Sequence, residues 1–125
     1  MGTNTDLAAI QEEISRAVTT GDRETLARHI APDVVWNGGA AEGGLDGIDM
    51  FFSAVARFET LYSSWEVLPQ VILVRDRIVM VHQIDRVTLL DGTSKDLRFN
   101  LYVEYNDDDQ IQRVWEYGGN ASIDH

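Results

Sequence analysis

Residues 77–89 read Arg-Ile-Val-Met-Val-His-Gln-Ile-Asp-Arg-Val-Thr-Leu and alternate as a strand does. Val79, Val81, Gln83, Asp85, Val87 and Leu89 share one face, and Ile78, Met80, His82, Ile84, Arg86 and Thr88 share the other. If the first face is buried, Asp85 loses most of its hydration, because only Val81, Val87 and the neutral amide of Gln83 accompany it. A carboxylate so placed needs a partner or a purpose.

Upstream, the period is helical. Leu7, Ile10, Ile14, Ala17 and Val18 form the apolar stripe of a first helix that starts near a capping-box-like pair, Thr3 and Asp6, runs to about Thr19 and stops at Gly21. Asp22 can cap a short second helix carrying Leu26 and Ile30 and ended by Pro32, with His29 on its surface or rim. Residues 33–37 read as a short strand. Asp46 is placed to cap a third helix, with Asp49 in its first turn and Ile48, Phe51, Phe52, Val55, Phe58 and Tyr62 at helical spacing. Downstream every segment alternates. Residues 65–74 form a strand in which Pro69 signals a bulge or an edge position, and Asp76-Arg77 connects it tightly to residues 77–89. Asp91-Gly92 marks a hairpin into residues 97–105, which put Leu97, Phe99, Leu101, Val103 and Tyr105 on one face. After a turn at 106–109, residues 111–117 place Val114 and Glu116 on one face and Ile111, Arg113, Trp115 and Tyr117 on the other.

This order predicts an α+β fold: three N-terminal helices packed on a curved antiparallel sheet that forms a cone with an internal pocket, in a single domain spanning residues 1–125. The pocket lining expected from the inward faces is Phe51, Phe52, Val55, Val79, Val81, Phe99, Leu101 and Val114, although for most of the helix 3 side chains plain core packing is the simpler role.

Composition narrows the partners. A net charge of −11 repels nucleic-acid phosphates and anionic lipid headgroups, and the absence of cysteine removes disulfides and thiolate metal sites. No membrane span or leader pattern is visible, so a cytoplasmic protein is expected, and the Asn120-Ala121-Ser122 sequon then carries no meaning. The glycine-rich stretch at 38–44 lacks the lysine and hydroxyl of a phosphate loop and carries Glu42, which excludes nucleotide binding there. His29, His82 and His125 show no ligand spacing, so neither metal nor cofactor is expected.

The helix order, the Gly-Leu-Asp-Gly-Ile-Asp lead-in to helix 3, the segment Ala31-Pro32-Asp33-Val34-Val35-Trp36 and the closing Gln110-Ile111-Gln112-Arg113-Val114-Trp115-Glu116-Tyr117 together resemble the nuclear-transport-factor-2-like superfamily. That superfamily includes ketosteroid isomerase, scytalone dehydratase, limonene epoxide hydrolase and polyketide cyclases. Gln83-Ile84-Asp85 is similar to the epoxide hydrolase strand that carries Arg-x-Asp, and Glu116 falls where that family has its second carboxylate. The resemblance implies that Asp85 donates a proton to an epoxide oxygen while Glu116 takes one from water, with Gln83 in place of the bridging arginine. It also matches Trp36, and Asn37 or Gly38, loosely with the family's water-holding tyrosine and asparagine. Ketosteroid isomerase carries its aspartate base near Asn37, where an amide cannot abstract a proton. The histidines of scytalone dehydratase have no counterpart in the pocket, because His82 lies on the face opposite Asp85.

The expected chemistry therefore rests on Asp85 and Glu116 in one apolar cavity, where repulsion and desolvation keep one carboxyl protonated near neutral pH and supply an acid beside a base. Ordinary ion pairing of either carboxylate with Arg86, Arg98 or Arg113 is the competing arrangement. Three functions fit: epoxide-hydrolase-like opening of a small hydrophobic metabolite, an isomerase, dehydratase or cyclase using the same pair, and a non-catalytic ligand-binding or dimerisation domain. The expected partners are a small apolar or weakly polar molecule and a second copy, docked through the sheet face bearing Ile78, Met80, Ile84, Trp115 and Tyr117.

Overall fold

The computed structural model describes residues 3–38 and 44–118, with the side chains of residues 3–6 excepted. The Thr3 and Asp6 side chains, Glu42 and its loop, the Asn120 sequon and His125 lie outside the described residues. In chain order the elements are α1 (Thr3–Thr20), α2 (Arg23–His29), β1 (Ile30–Gly38), β2 (Leu45–Asp46), α3 (Ile48–Leu61), β3 (Tyr62–Arg75), β4 (Ile78–Leu89), β5 (Ser94–Tyr105) and β6 (Ile111–Gly118).

The alternation in β4 is reproduced: Val79, Val81, Gln83, Asp85 and Val87 are buried, while Met80 and Arg86 are exposed. β3 to β6 form an antiparallel meander, and β1 adds to β6 in parallel, giving one mixed, unclosed sheet in the order β2-β1-β6-β5-β4-β3. The fold is α+β, three helices against one face of this sheet, with Leu7, Leu26, Phe51 and Val55 of the helices meeting Val79, Val103, Ile111 and Val114 of the strands in the core. The parallel β1–β6 pairing, joined through helix and meander, is the one departure from an all-antiparallel sheet.

Pro69 has both predicted meanings at once. β3 is an edge strand, and its register against β4 shifts between Pro69 and Val71. The free edge is partly covered, since the Val67 amide donates to Thr19 Oγ1 of α1 at 2.8 Å.

Three local expectations need correction. α2 ends at His29, and Ile30 with Pro32 already belong to β1, because the chain turns extended two residues before the proline in order to pair with β6. Asp46 does not cap α3: it pairs with Val35 in β2, and Gly47 takes the N-cap position with φ 89°, a conformation costly for a residue with a Cβ. Ile111 faces the core with Val114, since the β5–β6 register slips between Glu104 and Tyr105, where Ile111 pairs with Tyr105 but Arg113 with Glu104. His29 lies at the rim, half-buried, with its Nε2 3.0 Å from Glu13 Oε1.

Candidate active site

Asp85 on β4 is only 5% exposed, yet both its oxygens are satisfied: Gln83 Nε2 donates to Oδ1 at 2.8 Å and Trp65 Nε1 donates to Oδ2 at 3.0 Å. Gln83 reaches it because residues two apart on a strand share a face. Trp65 reaches it through the β3 bulge, which sets Val67 opposite Asp85 and Trp65 opposite Val87. Phe58 of α3 packs edge-on against the Trp65 ring, with centroids 5.5 Å apart. Burial raises the Asp85 carboxyl to about 6, against the opposing pull of the two N–H donors.

Glu116 on β6 is held in the same manner from the other side. Trp36 Nε1 on β1 donates to its Oε1 at 2.8 Å, and Phe51 stacks on Trp36 with centroids 5.2 Å apart. The parallel pairing of Gly38 with Glu116 brings β1 this close, and a Cβ at Gly38, where φ is 81°, would collide with the Glu116 carbonyl. Burial raises the Glu116 carboxyl to about 7, and the negative charge of Asp85 adds to the rise.

The two carboxyls line one cavity of about 80 Å³ between α1 and the sheet. Gln11, Ser15, Trp36, Gln83, Leu101 and Val114 are among its walls. At about 10–15 Å³ of such space for a single water, the cavity has room for a few waters or a compact organic molecule. Among the described residues no Lys, Arg or His lies within 4.0 Å of either carboxyl; Arg86 pairs with Asp96 instead, at 2.9 Å. Ordinary ion pairing with Arg86, Arg98 or Arg113 is thereby set aside. Metal-binding clusters of three or more His, Cys, Asp or Glu are absent among the described residues, and no described helix is long and apolar enough to cross a membrane.

The structure thus brings Asp85, Glu116, Gln83, Trp36, Leu101 and Val114 to one cavity. Asn37 instead donates from Nδ2 to the Val114 carbonyl at 3.3 Å, which ties β1 to β6. Phe51, Val55, Val81 and Phe99 are buried core residues, and Phe52 packs against that core; none of the five is in the cavity lining. The reason is geometric. Helix 3 packs Phe51 on Trp36 of β1 and Phe58 on Trp65 of β3, while Gln11, Ile14, Ser15 and Val18 of α1 line the cavity. His82 lies on the outer face, Nδ1 3.0 Å from Asn100 Oδ1.

Compared as a whole, the chain superposes on IdmH from Streptomyces antibioticus, a candidate polyketide cyclase, with TM-score 0.80 and 20% identity over 94% of each chain. It also matches an LEH-like epoxide hydrolase from M. tuberculosis, with TM-score 0.81 and 15% identity over 97% of this chain and 88% of that one. The chain has the nuclear-transport-factor-2-like fold. A third protein with this fold, the ketosteroid isomerase-like one from Catenulispora acidiphila in complex with trimethylamine, matches with TM-score 0.79 and 15% identity over 91% of this chain and 88% of that one. At such identities the likeness establishes the fold alone. No protein-family model matches the sequence, and no curated protein matches it at a significant level. These neighbours sharing the fold are thus a candidate polyketide cyclase, an LEH-like epoxide hydrolase and a hypothetical protein with a ketosteroid isomerase-like fold.

Two residues of the cavity region escape a sequence reading. Trp65 is one, because its inward orientation depends on the bulge. Gln11 is the other: an amide in the stripe between Leu7 and Ile14, it is 4% exposed and accepts from Tyr105 Oη at 2.7 Å. Its position one helical turn from Leu7, on the apolar face, was the available signal.

Proposed function

We propose that this protein is an acid–base enzyme acting on a small, neutral, oxygen-bearing molecule, with Asp85 as base and Glu116 as acid. The observation that carries the reading is the placement of both carboxyls on one small cavity, each held by an indole N–H and neither by a cation. Near pH 7 a group at about 6 is mostly ionised and one at about 7 is half protonated, so about half of the molecules pair a carboxylate with a carboxylic acid. Two N–H donors favour the anion on Asp85, whereas Glu116 receives one and keeps Oε2 without a partner among the described residues. This reverses the roles implied by the epoxide hydrolase resemblance, and the cause is the second donor on Asp85.

Proton shuttling within the substrate, as in isomerisation or ring closure, fits better than attack by water. The side chains at the loosely matched water-holding positions are both committed elsewhere, Trp36 to Glu116 and Asn37 to the Val114 carbonyl. Asp85 would take a proton from carbon beside a carbonyl while Glu116 protonates the oxygen. Epoxide opening is the second reading, favoured by room for water in the cavity.

Screening small ketones, enones and epoxides with the wild type, Asp85→Asn and Glu116→Gln tests the proposal. A positioned proton donor or acceptor contributes about 10²-fold to 10⁴-fold, so each variant should lose nearly all turnover, without additivity in the double variant. Oxygen-labelled water separates the two readings, since hydrolysis alone carries solvent oxygen into the product. Wild-type rates in both variants would remove Asp85 and Glu116 from the chemistry.

A further inference from the structure

The donors that line the cavity are nearly all committed. Trp36 donates to Glu116, Ser15 Oγ donates to the Gln11 carbonyl at 3.2 Å, and Gln83 gives one N–H to Asp85. Gln11 differs. Its Oε1 accepts from the Tyr105 hydroxyl, while its Nε2, with two N–H groups, donates to no group among the described residues and is not sealed off from the cavity that Gln11 lines. A side chain only 4% exposed, on the cavity wall, therefore keeps both amide protons available to whatever occupies the cavity.

The orientation has a physical cause. Two carboxyls line the same space, so the positive N–H end of the amide is favoured on the cavity side and the carbonyl end on the side of Tyr105. Tyr105 is itself buried on β5, and burial pushes its phenol up, which keeps it a neutral donor. The inner end of the Tyr105–Gln11 bond is thus closed, and its outer end is open.

We propose that Gln11 is the substrate-orienting residue of this cavity, its Nε2 donating to a carbonyl-type oxygen of the ligand while Tyr105 holds the amide in register. The inference rests on the cavity being the substrate site, and it specifies a ligand with an acceptor oxygen near α1. An apolar ligand would leave the Gln11 protons buried and unpaired, so the cavity discriminates against hydrocarbons of the same shape.

Infrared spectra of carbonyl-labelled cyclopentanone bound to the full chain test this, with cyclopentane as the oxygen-free control. In the wild type the bound carbonyl band should shift to lower frequency. Gln11→Leu alone orphans the Tyr105 hydroxyl and is prone to unfold, so the Gln11→Leu/Tyr105→Phe pair, which removes both partners, is the decisive variant. It should bind the ketone about threefold to tenfold more weakly, bind cyclopentane as well or better, and lose the part of the band shift that persists in Asp85→Asn/Glu116→Gln. Tyr105→Phe alone, with a freely rotating amide, should give a broadened and smaller shift. An unchanged band in the double variant, or no bound band in the wild type, overturns the proposal. The readout needs no turnover: a shifted band that persists in Asp85→Asn/Glu116→Gln supports the role of Gln11 even if the acid–base assignment fails. Loss of turnover in those variants with an unshifted wild-type band overturns the role of Gln11 alone.

Discussion

Replacing Glu116 with glutamine should make the protein more stable, and increasingly so as pH rises. The carboxyl sits at about 7 in the folded state against an ordinary 4.5, chiefly through burial. Each unit corresponds to about 1.4 kcal/mol, so full ionisation removes about 3 kcal/mol of folding stability, or about 2 kcal/mol after allowing for the partial exposure of the residue. The folded value is raised, so this stability is fully present below the ordinary value and is lost as pH climbs through about 7. Glutamine has no charge to bury, and its Oε1 can still accept from Trp36 Nε1. Asp85 is common to both proteins, so its own titration cancels to first order. Urea unfolding at about pH 5 and about pH 8 reads the difference: with a slope of about 1–3 kcal/mol per molar, the variant's midpoint should move ahead of the wild type by about 1 M across that range. Parallel pH curves for the two proteins would refute the claim that this carboxyl is charged at the expense of folding.

Trp65→Phe removes an N–H that favours the Asp85 anion, so the acid limb of the pH–rate profile should move to higher pH; an unmoved limb would take Trp65 out of the site. The sheet face away from the helices exposes Leu73, Met80 and Tyr117 beside Tyr102 and Trp115, and two copies are expected to pair there. Light scattering should show a dimer that Met80→Lys weakens, and a wild-type monomer at micromolar concentration would contradict this. Small ketones, alcohols and epoxides should raise the melting temperature, whereas sugar phosphates should not, because the cavity presents two carboxyls and no described cation within 4.0 Å of them.

The inward face of β4 was legible because alternation is local: Val79 to Val87 declares its buried side without reference to any other strand. Trp65 was not legible for the opposite reason. Counting back from the Asp76–Arg77 turn, where Arg75 pairs with Ile78, an unbroken ladder sets Leu68 opposite Asp85 and turns Trp65 outward. The extra residue between Pro69 and Val71 reverses the faces of Ser64 to Pro69. Ile111 was misplaced by the same kind of slip in β6. The Trp36–Glu116 bond joins residues 80 apart in sequence and depends on the parallel β1–β6 pairing, which no local pattern encodes. Position 11 was readable in principle, as an amide between Leu7 and Ile14 on a buried stripe, but its value became clear only with Tyr105 on the other side.

In the proposed mechanism one cavity holds a base and an acid whose proton affinities burial has moved toward neutrality. Carbon-13 NMR titration of side-chain-labelled carboxyls, assigned through Asp85→Asn and Glu116→Gln, measures this directly. Two resonances should titrate far above the rest, Asp85 near about 6 and Glu116 near about 7, with Glu116 falling when Asp85 is replaced. Titration of both groups among the ordinary surface carboxylates would contradict the account.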